Sequence, residues 1–73
     1  MDLGRYSQAL QDFEQSLQIN PDGLAAFFSR GECFMKLGEL DKAEATFAAG
    51  PARFPEERKL FEEFLAKTRA MRK

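Results

Sequence analysis

Apolar residues recur along the start of the chain at steps of three and four, as Tyr6, Ala9, Leu10, Phe13 and Leu17. On a helix of about 3.6 residues per turn such steps draw one stripe, so residues 6–19 are predicted to be helical. Asn20-Pro21-Asp22-Gly23 then gathers turn-forming residues and predicts a stop, a turn and a cap. A second helix follows over residues 24–37, with Phe27, Arg30, Gly31, Phe34 and Leu37 on one side. Gly38 is expected to end it in the left-handed conformation that glycine adopts most readily. A third helix over residues 40–50 turns Leu40, Ala43 and Phe47 inward. Pro51 lacks an N–H and its ring presses on the carbonyl of Phe47, so beside Gly50 this helix is expected to stop or kink near residue 50. The fourth helix, residues 55–71, has Leu60, Phe61, Phe64, Leu65 and Met71 as its inner stripe. Pro55, Glu56 and Glu57 suit its first turn and Lys67, Arg69, Arg72 and Lys73 its last, and it is expected to be the longest. The fold class expected is all-α.

The same punctuation returns after 34 residues: Leu3-Gly4 aligns with Leu37-Gly38, Ala9 with Ala43, Phe13 with Phe47 and Pro21 with Pro55. Residues 24–57 therefore form one full unit of helix, turn and helix, carrying Phe27-x2-Arg30-Gly31-x2-Phe34, then Ala43-x3-Phe47, then Pro55. This unit resembles a tetratricopeptide repeat, whose pattern is W-x2-L-G-x2-Y, then A-x3-F, then P. Residues 1–23 resemble the second half of a preceding repeat, and residues 58–73 the solvating helix that often follows the last one. Leu65 stands there in place of the repeat glycine. The resemblance implies antiparallel helical hairpins of an α-solenoid, in one domain over residues 1–73, with Gly31 and Ala43 admitting close backbone approach and large rings filling the space around them. Arg30 replaces a usual leucine and is expected to lay its stem on the core with its head in water.

Composition narrows the function. A chain of 73 residues with eight phenylalanines, one tyrosine and no tryptophan must build its core from single rings. No apolar run approaches the roughly 20 residues needed to span a bilayer, and the start MDLGRYSQ has no signal-like apolar stretch, so no membrane role is expected. A single cysteine, Cys33, excludes an internal disulfide and suits a reducing compartment, for which the cytoplasm is the default. The net charge of -1 argues against nucleic-acid binding. Charge is uneven, however: residues 58–73 hold Arg58, Lys59, Lys67, Arg69, Arg72 and Lys73 against Glu62 and Glu63, so an acidic body carries a basic tail.

Candidate chemistry is sparse. With no histidine, no phosphate-cradling glycine loop and one thiol, the chain is not expected to be an enzyme, nor to hold a cofactor or metal. Cys33 reads as small core filler on the packed side of its helix rather than as a nucleophile. The resemblance implies a concave face for protein partners, lined here by Ala25, Phe28, Ser29, Glu32, Met35 and Lys36, with Lys59, Glu62, Ala66 and Arg69 from the last helix. Phe28 lies about 100° around from Phe27, so it is expected either to anchor a partner or to be covered by neighbouring helices. The Lys, Asn and Arg clamp of repeats that grip chaperone tails is poorly matched, because Phe28, Ser29, Glu32 and Glu63 occupy the places it would need. The function expected is a protein–protein interaction module that holds a peptide or helix. The alternative is self-association, a homodimer formed through an uncovered face of Tyr6, Ala9, Leu10, Phe13 and Leu17 on the first helix.

Overall fold

The computed structural model describes residues 3–72. Four helices follow in order: α1 (Leu3–Ile19), α2 (Leu24–Lys36), α3 (Leu40–Arg53) and α4 (Arg58–Ala70), with a 3-10 turn at Pro55–Glu57. Among the described residues there is no strand. Each helix packs on the next, α1 on α2, α2 on α3 and α3 on α4, and the body measures 34 × 33 × 15 Å.

The turns follow from their residues. Asn20 Oδ1 accepts the Asp22 N–H at 3.2 Å, which folds the chain back at Pro21, and Gly23 caps α2 with its carbonyl on the Phe27 N–H at 3.0 Å. At the other end of α2, Gly38 has φ 79°. The Glu39 N–H reaches back to the Phe34 carbonyl at 2.9 Å and the Gly38 N–H to the Met35 carbonyl at 3.1 Å. This paired closure satisfies carbonyls that the helix end would otherwise orphan, and the positive φ explains why glycine stands there.

The core lies between α2, α3 and α4. Phe27, Phe34, Ala43, Phe47 and Phe61 are buried, with Leu10, Leu17, Leu24, Met35, Phe54, Phe64 and Leu65 packed around them. Gly31 sits so close to α3 that a Cβ there would lie 2.6 Å from Phe47 Cε1, and Ala43 has no exposed surface. The expected closeness of α2 and α3 is therefore present, and the rings fill the space beside it. Phe27 meets Phe61 edge-on at 5.8 Å and Phe54 at 5.5 Å. Two threonines sit among the rings, and each hydroxyl donates to the carbonyl four residues back, Thr46 to Lys42 at 2.9 Å and Thr68 to Phe64 at 2.8 Å.

Three expectations need correction. α3 does not end near residue 50 but continues through Pro51 to Arg53, and the Phe54 N–H bonds the Gly50 carbonyl at 2.7 Å. The missing N–H of Pro51 costs one hydrogen bond to Phe47 close to the helix end, where packing outweighs it: Gly50 is buried directly under the Phe61 ring. Second, α4 is not the longest helix; it has 13 residues against 17 in α1, with Pro55–Glu57 taking the tighter 3-10 turn before it. Third, the Arg30 head stays over the core rather than extending clear of it. Its guanidinium carbon lies 5.4 Å from the Phe27 ring centroid and its Nε is shut off from solvent without a hydrogen-bond partner. Lys73, expected in the last turn of α4, lies outside the described residues.

The basic tail is partly neutralised at home. Arg72 pairs with Asp41 and, through Nε at 2.9 Å, with Glu44, so the end of α4 is tied to the acidic start of α3.

Candidate functional site

An open groove of about 310 Å³ runs between α1 and α2. Tyr6, Ala9 and Phe13 form its α1 wall, and Ser29, Glu32, Cys33 and Lys36 its α2 wall. The steps of three and four that make α1 a helix also divide its apolar residues between two edges. Leu10 and Leu17 turn under α2 and pack on the core, while Tyr6, Ala9 and Phe13 stay half-buried along the groove. All five are half-buried, and two of them, Leu10 and Leu17, pack on the core rather than lining the groove. The two walls differ in kind, aromatic and aliphatic on α1, a hydroxyl and two opposite charges on α2.

The residues expected to form one concave face are divided. Ser29, Glu32 and Lys36 line the groove with α1, whereas Ala25, Lys59, Glu62 and Arg69 are exposed elsewhere and do not line it. Glu62 pairs with Arg58 at 3.5 Å, one helical turn back. Ala66 is exposed on α4, and Met35 packs on the core.

Phe28 follows the second of its two expected readings in its contacts. Its ring meets Phe64 edge-on at 4.6 Å, Phe47 at 5.6 Å and Phe61 at 5.8 Å, so α3 and α4 cover it on one side and leave it half-buried. Phe28→Ala should accordingly lower stability by about 2–4 kcal/mol in urea unfolding; a loss under about 0.5 kcal/mol would mean that the ring cluster holds nothing together.

Cys33 is 6% exposed at the groove floor. Burial pushes its thiol pKa up, and the negative charge of Glu32 beside it adds to the rise. A raised thiol is a poor nucleophile at neutral pH, which fits a packing role. Because the folded pKa lies above the unfolded one, the neutral thiol's contribution is fully present below the unfolded value of about 8.5. It is lost as pH rises through the folded value. Stability should therefore fall in alkali, and Cys33→Ala should flatten that slope; equal slopes in the two proteins would contradict the assignment.

A second hollow of about 290 Å³ lies at the far end, lined by Leu24, Arg53, Phe54, Pro55, Glu56 and Glu57. Arg53 stands over the Phe27 ring at 5.6 Å from its centroid. No described helix is long and apolar enough to cross a membrane.

Helix order, the close approach of Gly31 to Phe47 and the ring core all follow one hairpin plan, and a tetratricopeptide repeat profile matches residues 1–67. The chain belongs to the tetratricopeptide repeat family. Such repeats are typically non-catalytic modules for protein–protein interaction. A tetratricopeptide repeat and J domain-containing co-chaperone of Cryptococcus neoformans var. grubii is 41% identical over 44 residues, a stretch covering 60% of this chain and 8% of the co-chaperone. The chain thus spans under a tenth of that relative's length. No solved structure matches it.

Reading the sequence did not single out the hollow between α1 and α2, which stands beside the face expected on α2 and α4. The signal was present in the pairing of Ala9 with Ala43 and Phe13 with Phe47, which marks α1 as a wall of the same kind as α3.

Proposed function

We propose that this chain is a protein–protein interaction module that holds a peptide or helix of a protein partner in the groove between α1 and α2. The observation that carries the reading is the amphipathic pair of walls, with Tyr6, Ala9 and Phe13 offering apolar surface and Ser29, Glu32 and Lys36 offering a hydroxyl and two charges along one open channel. In the same reading residues 1–23 and 24–57 act as the partial and complete repeats, residues 58–73 close the core, and the free thiol suits a reducing, cytoplasmic setting. The similarity to a segment of a J domain-containing co-chaperone supports a protein partner. The test is a displayed peptide library selected on the folded chain, with the winners mapped by amide chemical shifts. Enriched peptides that perturb Ala9, Phe13, Ser29 and Glu32 support the module; a library that enriches nothing removes it.

Self-association is the second reading, favoured by the half-exposed rings of Tyr6 and Phe13 on one side of α1. Light scattering over a dilution series decides it. A mass that doubles with concentration and stays single in Phe13→Glu supports a homodimer, and a constant monomer mass dismisses it.

A further inference from the structure

The second hollow, about 290 Å³ in volume, opens where the start of α2 faces the turn between α3 and α4. Leu24 forms one wall, and Arg53, Phe54, Pro55, Glu56 and Glu57 form the other. Both walls lie inside the chain. Pro21 and Pro55 are equivalent positions 34 residues apart, so a further hairpin of the same plan would add one more turn along this edge and not lie over it. The walls are apolar: Leu24 and Phe54 are half-buried, and Phe54 stacks on Phe61 at 6.1 Å with 22° between the ring planes while still lining the hollow. The rim is acidic. Glu57 is half-buried and Glu56 exposed, and among the described residues no hydrogen bond or ion pair engages either carboxylate. Arg53, the one cation of the lining, is turned to Phe27 instead, with its guanidinium carbon 5.6 Å from that ring's centroid.

We propose that this hollow takes an arginine side chain of a protein partner, its stem against Leu24, Phe54 and Pro55 and its guanidinium on Glu56 and Glu57. An apolar side chain would fill the walls and leave both carboxylates unpaired, and an acidic one would meet two like charges against one opposite. Arginine suits the site better than lysine. A planar guanidinium spreads over a ring, as those of Arg30 and Arg53 do on Phe27, and it offers N–H donors to two carboxylates at once. Its long stem buries apolar surface while the head stays at the rim. The hollow is separate from the groove between α1 and α2, so this inference goes beyond the module reading and is tested independently of it.

The probe is a blocked glycine-arginine-glycine peptide, titrated into the intact chain and followed by amide chemical shifts. Saturable shifts at Leu24, Phe54, Glu56 and Glu57 are expected, and they should weaken as salt is raised. Replacing the arginine by citrulline, which keeps the shape without the charge, is expected to weaken binding about fivefold. This comparison leaves the chain unaltered, so misfolding does not enter. The double change Glu56→Gln and Glu57→Gln should weaken the arginine peptide in the same way, whereas Arg53→Gln, which removes the one cation of the lining, should tighten it. Equal binding of the citrulline peptide overturns the proposal, since the hollow would then read shape alone. So does loss of binding in Arg53→Gln, which would assign the site to an anion, and so does the absence of any saturable shift. Shifts at Tyr6, Ala9 and Phe13 in place of the hollow overturn it too, yet they leave an interaction module standing. An empty library selection removes that module and leaves the arginine site untouched.

Discussion

Phe47→Ala should remove at least about a quarter of the stability of this chain. Phe47 is completely buried, touches Gly31 across the α2–α3 contact, and faces Phe28, Phe61 and Phe64. Removing such a ring costs about 3–5 kcal/mol, the lost transfer free energy plus the cavity left behind. At the usual rate a chain of this length holds about 4–11 kcal/mol in total. The loss cannot be relieved by collapse, since the surrounding rings are held by one another. Urea unfolding monitored by circular dichroism measures it, and a midpoint within experimental error of the parent would mean that the core lies elsewhere.

The second large effect belongs to Gly31. Gly31→Val should cost about 1–3 kcal/mol by overpacking against Phe47 and Thr46. Gly38→Ala provides the contrast. Nothing lies within 4 Å of a Cβ at Gly38, but its φ of +79° is one that L side chains adopt at a cost of about 1–2 kcal/mol. The two losses have different causes and are separable. Phe47→Leu in the Gly31→Val background should recover part of the deficit, because it makes room where the valine presses, whereas the same change should add to the loss of Gly38→Ala. Additive losses in both pairs would show that Gly31 is not tight against Phe47.

Much of this was legible in the sequence because it depends on local chemistry that repeats. Gly38 required a positive φ, Asn20-Pro21-Asp22-Gly23 required a turn, and the recurrence of Ala and Phe after 34 residues located the helix contact. What escaped depends on contacts between distant residues. The local rule for Gly50-Pro51 was sound, but Phe61, brought over by α4, rests on Gly50 and holds α3 intact past the proline. Arg30 had a stem to bury, and only the placement of Phe27 beneath its guanidinium explains why the head stays close to the core. The site was least legible, for a reason visible in α1. A helical stripe shows which residues are apolar but not how a neighbouring helix divides them, and α2 takes Leu10 and Leu17 while leaving Tyr6 and Phe13 to the groove.

The helices touch in chain order: α2 meets α1, α3 and the Phe64 ring of α4, and α3 meets α2, α4 and the 3-10 turn, whereas among the described residues α1 packs chiefly on α2. α1 leans on a single neighbour. A molecule joined this way loosens from its end inward, so amide protons of α1 should exchange with solvent well before those of α2 and α3. A helix laid along Tyr6 and Phe13 would give α1 a second support, and a ligand at this groove would announce itself as slower exchange across the whole of α1, including turns it never touches.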